Sequence, residues 1–174
     1  MVNLWKDLKP GRNPPEEVDV VIEIPKGSRN KFEVDKETGL IRLDRVLHKP
    51  FRYEWDYGFI PQTLADDGDP LDGVVIVDQP SFPAAIIPCR PIGVMHMIDQ
   101  GEGDDKIICV PADDPDSKRV MSISKAQEAR MRRWFEGYKK KENKKVEVTG
   151  FEGAEVARRY IKEAIELYKK KVGV

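Results

Sequence analysis

Asp67, Asp69 and Asp72 fall within the short run Asp67-Gly68-Asp69-Pro70-Leu71-Asp72. Carboxylates this close repel one another unless a cation lies among them. Gly68 permits a tight turn and Pro70 stiffens it. The apolar run Gly73-Val74-Val75-Ile76-Val77 follows at once and reads as a buried strand. The carboxylates are thus held at a strand entrance, as hard oxygen donors of the kind Mg²⁺ prefers. Three readings compete for the loop: a solvated acidic turn, a calcium-binding loop, and a metal cluster for phosphoryl chemistry. A calcium loop of the EF-hand kind needs an oxygen ligand at its fifth position and glycine at its sixth. Counted from Asp67, those positions hold Leu71 and Asp72, so that pattern fails. The phosphoryl reading requires further carboxylates and a set of cations for an anionic substrate.

Both exist. Asp99 and Asp104 lie in the acidic, glycine-containing loop Asp99-Gln100-Gly101-Glu102-Gly103-Asp104-Asp105-Lys106, between two apolar runs. Hairpin loops are ordinarily polar, so this one also reads as a plain connection. Glu23 stands inside the apolar run Val20-Val21-Ile22-Glu23-Ile24, where a carboxylate either faces solvent or lines a site. Lys31 and Arg45 flank the turn signal Asp35-Lys36-Glu37-Thr38-Gly39, which predicts antiparallel neighbours and brings the two cations close. An anion between them would relieve their repulsion; otherwise they are ordinary surface charges.

The elements that must position these groups are mostly strands. Apolar runs predict strands near 18–24, 31–35, 40–46, 73–77, 86–97 and 106–110. A helix is expected from Ser122 to Lys141, with Ser122 or Ser124 as its cap and Lys139-Lys140-Lys141 at its C-terminal end. A short strand, 145–149, leads to a last helix with Ala157, Tyr160, Ile161, Ala164, Ile165 and Tyr168 on its core face. Short strands with few helices suggest a small closed barrel. The 174 residues read as one domain, 1–174, able to bury roughly 70% of its unfolded surface. The net charge of −1 offers no general attraction to nucleic acid or anionic membrane. No apolar stretch approaches the ~20 residues of a membrane span, and the N-terminus carries no signal-like apolar segment. Cys89 and Cys109 read as small buried hydrophobes rather than a disulfide, and a cytoplasmic location is expected. Charged residues form 35% of the chain, a bias like that of proteins from hot environments.

These residues, in this order, resemble the soluble family I inorganic pyrophosphatases. The specific match is Asp67-Gly68-Asp69-Pro70-Leu71-Asp72-Gly73. It continues through Val21-Ile22-Glu23-Ile24-Pro25, Lys31-Phe32-Glu33, Asp44-Arg45, Tyr53 to Pro61, Cys89-Arg90-Pro91-Ile92-Gly93-Val94, Asp99 to Lys106 and Phe135 to Lys139. The chain looks like the short prokaryotic, archaeal-type branch, without the long extensions of eukaryotic members. The resemblance implies a mainly β fold with peripheral helices (α+β), a five-stranded OB-like closed barrel plus two C-terminal helices. It implies hydrolysis of pyrophosphate to two phosphates with several Mg²⁺ ions per site, Mn²⁺ or another divalent ion being an alternative. It also implies a homo-oligomer, a hexamer as in bacterial and archaeal relatives.

By the same resemblance, Asp67, Asp72 and Asp99 ligate one metal, Asp72 bridges to a second, Asp99 and Asp104 hold substrate-associated metals, and Glu23 acts through waters. Asp69 is the expected general base, two residues from Asp67 on one side of an extended loop. Lys31, Arg45, Tyr57, Lys106, Tyr138 and Lys139 would grip the phosphates, Arg45 with a planar fork and the tyrosines by uncharged hydrogen bonds. Asp56 departs from the family pattern, replacing an amide before Tyr57-Gly58, and a hydrogen bond there should be reorganised. His48 and His96, the only histidines, receive no role. An OB-like barrel also raises single-stranded nucleic-acid binding, and Tyr53, Trp55, Tyr57 and Phe59 alternate as a stacking face would. Glu54 and Asp56, interleaved among them, would repel phosphates.

Overall fold

The structure, a computed structural model, describes residues 1–173. Its strands are β1 (Val18–Ile24), β2 (Asn30–Val34), β3 (Ile41–Val46), β4 (Asp56–Phe59), β5 (Asp72–Val75), β6 (Ile86–Asp99), β7 (Glu102–Gly103), β8 (Lys106–Pro111) and β9 (Val146–Gly153). Two helices, α1 (Lys125–Gly137) and α2 (Ala154–Val172), complete the mainly β architecture. β1 pairs antiparallel with β4 along one edge and with β6 along the other. β4 pairs with β5, β5 runs parallel to β8, and β8 pairs with β6, so the pairings return to β1. β7 and β9 add to the far end of β6. β2 and β3 form a separate two-stranded sheet.

Two apolar clusters hold the sheet and helices together. In one, Met131, Trp134 and Phe135 of α1 pack with Tyr53, Trp55, Ile92, Met97 and Val148. In the other, Ala157, Ile161 and Ala164 of α2 pack with Val20, Ile22, Val75 and Ile107. The expected α2 face is therefore a core face, with Tyr168 also buried and Tyr160 and Ile165 partly so. Each such aliphatic side chain contributes about 1.5–3 kcal/mol by leaving water. Gly58 marks a place where β4 lies hard against β1: a Cβ there would stand 1.8 Å from the Val21 carbonyl oxygen. Both cysteines are buried and free. No helix among the described residues is long and apolar enough to cross a membrane.

The strands expected from sequence omit 56–59, and the expected first helix reaches Lys141; both need correction. The alternating segment Tyr53 to Phe59 belongs in part to a strand, β4, whose aromatic residues Tyr57 and Phe59 lie against β1 and β5. Tyr53 and Trp55 are only 2% and 3% exposed, so no stacking face for bases exists there. Burial against α1 absorbs the aromatics. Helix α1 begins where Ser124 accepts the Gln127 N–H, but it ends at Gly137 rather than Lys141. Glycine is a weak helix former, and a 3₁₀ turn, Lys140–Glu142, follows, closed by Asn143 in the left-handed region (φ 55°). The lysines thus leave the helix end, and Lys139 turns inward, 8% exposed.

Candidate active site

A cavity of about 690 Å³ opens between the seven-stranded sheet and the β2–β3 hairpin. Its lining includes Glu23, Lys31, Tyr57, Asp67, Asp69, Asp72, Asp99, Asp104, Lys106, Tyr138 and Lys139. Of the residues singled out in the sequence, only Arg45 is missing from the wall. Four parts of the chain converge because of sheet register. The parallel β5–β8 ladder sets Asp72 opposite Lys106, and β4 brings Tyr57 alongside β5 at Val74. Asp99 ends β6 and Asp104 lies two residues before the start of β8. Tyr138 is delivered by α1, its ring stacked on Trp134 with centroids 4.7 Å apart.

The loop with Asp67 and Asp69 is a turn built from its own side chains. Gly68 takes φ +85°, which L side chains resist, and its N–H donates to the Ala65 carbonyl. The Asp69 N–H donates to Asp67 Oδ1 at 2.9 Å. One wall of the cavity is therefore acidic. Lysines lie among the carboxylates: Lys106 Nζ is 2.6 Å from Asp72 Oδ2 and 2.8 Å from Asp104 Oδ1. Lys139 contacts Asp99, and Lys36 Nζ reaches Asp69 Oδ1 at 2.5 Å.

The electrostatics show how crowded the negative charge is. Burial, then the neighbouring Asp72 charge, pushes Glu23 up to about 8, although the Val34 N–H donates to its carboxylate at 2.6 Å. Burial likewise raises Asp72, to about 6; Lys106 and the Tyr57 hydroxyl oppose this and Asp104 adds to it. Lys106 loses by burial but gains more from Asp72 and Asp104, and it is held as a cation. Burial also raises Asp67, with the Asp69 N–H in opposition. Asp99 resists its own burial because Lys139 holds it ionised, below its ordinary value.

Among the described residues, no group of three or more His, Cys, Asp or Glu side chains is drawn close enough to enclose a metal ion. The donor set nevertheless suits a hard divalent cation. Every candidate ligand is a carboxylate, and the ionised forms of Glu23 and Asp72, disfavoured first by burial and then by neighbouring carboxylates, would be favoured by a cation. The lysine ammonium groups supply part of that neutralisation.

The cationic wall belongs to the hairpin. Lys31 and Arg45 are register partners, as expected, and the anion between them is Asp44. Asp44 Oδ2 is 3.5 Å from Lys31 Nζ and 2.9 Å from Arg45 Nη1. Arg45 stands beside Lys31 rather than in the cavity wall, with Nε 3.0 Å from Glu142 Oε1. That contact is an ion pair without hydrogen-bond alignment, and Arg45 Nη2 is buried with no partner among the described residues. Asp56 is fully buried, and its carboxylate accepts the Lys26 N–H at 2.8 Å and the Ser81 N–H at 3.1 Å. Sequence reasoning missed Glu33, Lys36 and Glu102, which also line the cavity. Lys36 lies within the hairpin turn, and nothing in a turn sequence tells which way its side chain reaches. Neither histidine lines the cavity.

A family model described as inorganic pyrophosphatase matches residues 20–169. The chain belongs to the inorganic pyrophosphatase family. The inorganic pyrophosphatase of Picrophilus torridus is 46% identical, over 97% of this chain and 97% of that protein. Soluble inorganic pyrophosphatase 2 of Chlamydomonas reinhardtii is 48% identical, over 95% of this chain and 88% of its own length. The crystal structure of the Thermus thermophilus inorganic pyrophosphatase superposes with a TM-score of 0.92 at 40% identity, covering 97% of this chain and 99% of that one. The acidic sheet wall and the basic hairpin are thus features of a pyrophosphatase-family chain.

Proposed function

We propose that this protein hydrolyses inorganic pyrophosphate to two phosphates, with divalent metal ions, in the cavity between the sheet and the β2–β3 hairpin. The observation that carries this reading is one pocket that gathers many carboxylates together with Lys31, Lys36, Lys106 and Lys139. A small polyanion accompanied by cations satisfies both kinds of group; a neutral ligand satisfies neither. Glu23, Asp67, Asp72, Asp99 and Asp104 would hold the ions, Mg²⁺ being the expected species. When bound, those ions supply neutralisation of phosphate oxygens and acidification of water.

The protein's own groups do the rest. Lys31 binds a phosphate group as a compact charge and Arg45 as a planar fork, its partnerless Nη2 having a donor to spare. Lys106 and Lys139 exchange their carboxylate partners for phosphate oxygens as substrate and ions arrive. Tyr57 and Tyr138 donate hydrogen bonds without adding charge, burial holding both phenols above their usual range. Asp69 orients the attacking water and takes its proton, which requires Lys36 to release or share the Asp69 carboxylate.

Wider properties follow from the family. The pairing cycle β1–β4–β5–β8–β6–β1 is read as a five-stranded OB-like barrel, and 1–174 as a single domain. A cytoplasmic homohexamer is proposed, and exposed Phe82 and Met121 supply apolar surface for self-association. No nucleic-acid or membrane partner is proposed. The deciding experiment measures phosphate release from pyrophosphate with Mg²⁺ and with excess chelator. Rapid release with Mg²⁺ and none with chelator is expected; no metal-dependent release would sink the reading.

A further inference from the structure

His96 is gripped at both ring nitrogens. Nδ1 lies 2.9 Å from Asp105 Oδ2, and Nε2 lies 2.6 Å from Glu152 Oε2. Ionised carboxylates only accept hydrogen bonds, so both nitrogens must donate and the ring must carry both protons. A neutral imidazole would satisfy one carboxylate and face the other with a lone pair. The charged groups facing the ring are Asp105, ahead of β8, and Glu152, on β9. Helix α2 presents the Tyr160 ring at 5.6 Å, with Arg159 and Glu163 beside that tyrosine. Burial opposes protonation of His96, but the two carboxylates outweigh it and its pKa lies above the ordinary value.

The clamp is one residue removed from the cavity. Alternation along an extended chain sends Asp104 and Lys106 to one side and Asp105 to the other. Asp104 and Lys106 line the cavity and pair with each other. Asp105 Oδ1 accepts the Met97 N–H at 3.0 Å, and the Asp104 N–H donates to the Met97 carbonyl at 2.8 Å. The start of β8 is therefore tied to β6 from behind the site, and His96 joins that tie to β9.

We propose that His96 is a positioning residue. Through Asp105 and Glu152, its imidazolium clamps the acidic β6–β8 connection and keeps Asp104 and Lys106 where substrate needs them. The proposal rests on the reading of the cavity as a pyrophosphate site. The clamp depends on charge, which fixes the sign of its pH response. A group whose pKa is raised on folding contributes fully below its unfolded pKa, and the contribution is lost as pH rises through the folded pKa. The rate should therefore carry a component that declines as His96 deprotonates, through a window beginning near ~6.5 and extending above it.

The test uses the full chain as wild type, His96→Gln, His96→Lys and Asp105→Asn. With His48 the only other histidine, NMR of the metal-free protein can follow each ring separately. His96 should titrate above ~6.5 in wild type, and Asp105→Asn should bring it down. His96→Gln should lower kcat roughly tenfold at neutral pH, with less change in KM, as expected for a small misplacement of binding groups. His96→Lys supplies both carboxylates with a lasting cation; it should restore most of kcat and flatten the decline at higher pH. A ring that titrates at or below its ordinary value, full kcat in His96→Gln, or a His96→Lys variant as impaired as His96→Gln would overturn the clamp. Should His96→Gln fail to fold, the NMR titration and His96→Lys decide. Should wild type not hydrolyse pyrophosphate at all, the functional reading falls, and the titration alone decides whether the clamp exists.

Discussion

The two walls of the cavity are anchored very differently. Asp72, Asp99 and Lys106 sit on β5, β6 and β8, strands paired within the seven-stranded sheet and backed by buried apolar clusters. Lys31, which lines the cavity, and Arg45 beside it sit on a two-stranded hairpin sheet outside that ladder. Leu40, Leu43 and Val46 on or beside its strands remain 47%, 49% and 51% exposed. An isolated two-stranded ribbon is marginal without further packing. Charges that must be held together against their own repulsion are thus placed on the stiffest part of the fold. Charges proposed to bind the substrate ride on the less extensively paired hairpin.

If this division is right, substitutions on the two walls should fail in different ways. The largest effect is expected where the chemistry meets the sheet. Asp69→Asn keeps shape but cannot take a proton, and kcat should fall ~10²–10⁴-fold with the fold intact. Retention of more than about a third of wild-type activity at neutral pH would remove Asp69 from its role, given that range. Asp72→Ala should next damage metal binding first, because it strips a carboxylate from the buried cluster and leaves Lys106 with Asp104 alone. Calorimetry without substrate should show weaker Mg²⁺ binding by at least tenfold, about 1.4 kcal/mol.

The hairpin wall should respond in the opposite sense. Arg45→Lys keeps charge and loses the fork, so kcat/KM should fall roughly tenfold while Mg²⁺ affinity without substrate stays near wild type. Equal loss of Mg²⁺ affinity in Arg45→Lys and Asp72→Ala would erase the distinction between the walls. Lys36→Ala should change the rate by only a few-fold, since its pair with Asp69 is about half exposed and such pairs contribute roughly 0–1 kcal/mol. The mildest comparison needs no substitution. Backbone amides of β2 and β3 should exchange with deuterium faster than those of β5, β6 and β8; equal protection would contradict the structural contrast.

Much of this was legible before any coordinates. The β1, β6 and β8 runs are dense in apolar, β-branched residues, and their strands form close to where that composition predicts. The acidic loop needs Gly68 and Pro70 where they stand, so its turn follows from residue type alone. The role given to each carboxylate, by contrast, came from resemblance to the family. What failed was local: no strand was expected at 56–59, where β4 forms, and α1 was drawn through Gly137. In both places burial against distant elements, not periodicity, decides the outcome.

The sequence by itself determined that three carboxylates lie on the loop entering a strand, that Lys31 and Arg45 are neighbours across a hairpin, and that α2 has one core face. Each depends on spacing over a few residues, which short-range sterics and alternation control. Only the tertiary structure decided that Lys36 reaches Asp69 and that His96 bridges Asp105 to Glu152. Those contacts join residues 33, 9 and 56 positions apart in the chain. Where such side chains meet depends on strand register and on how separate sheets pack, and neither is written into the residues that finally touch.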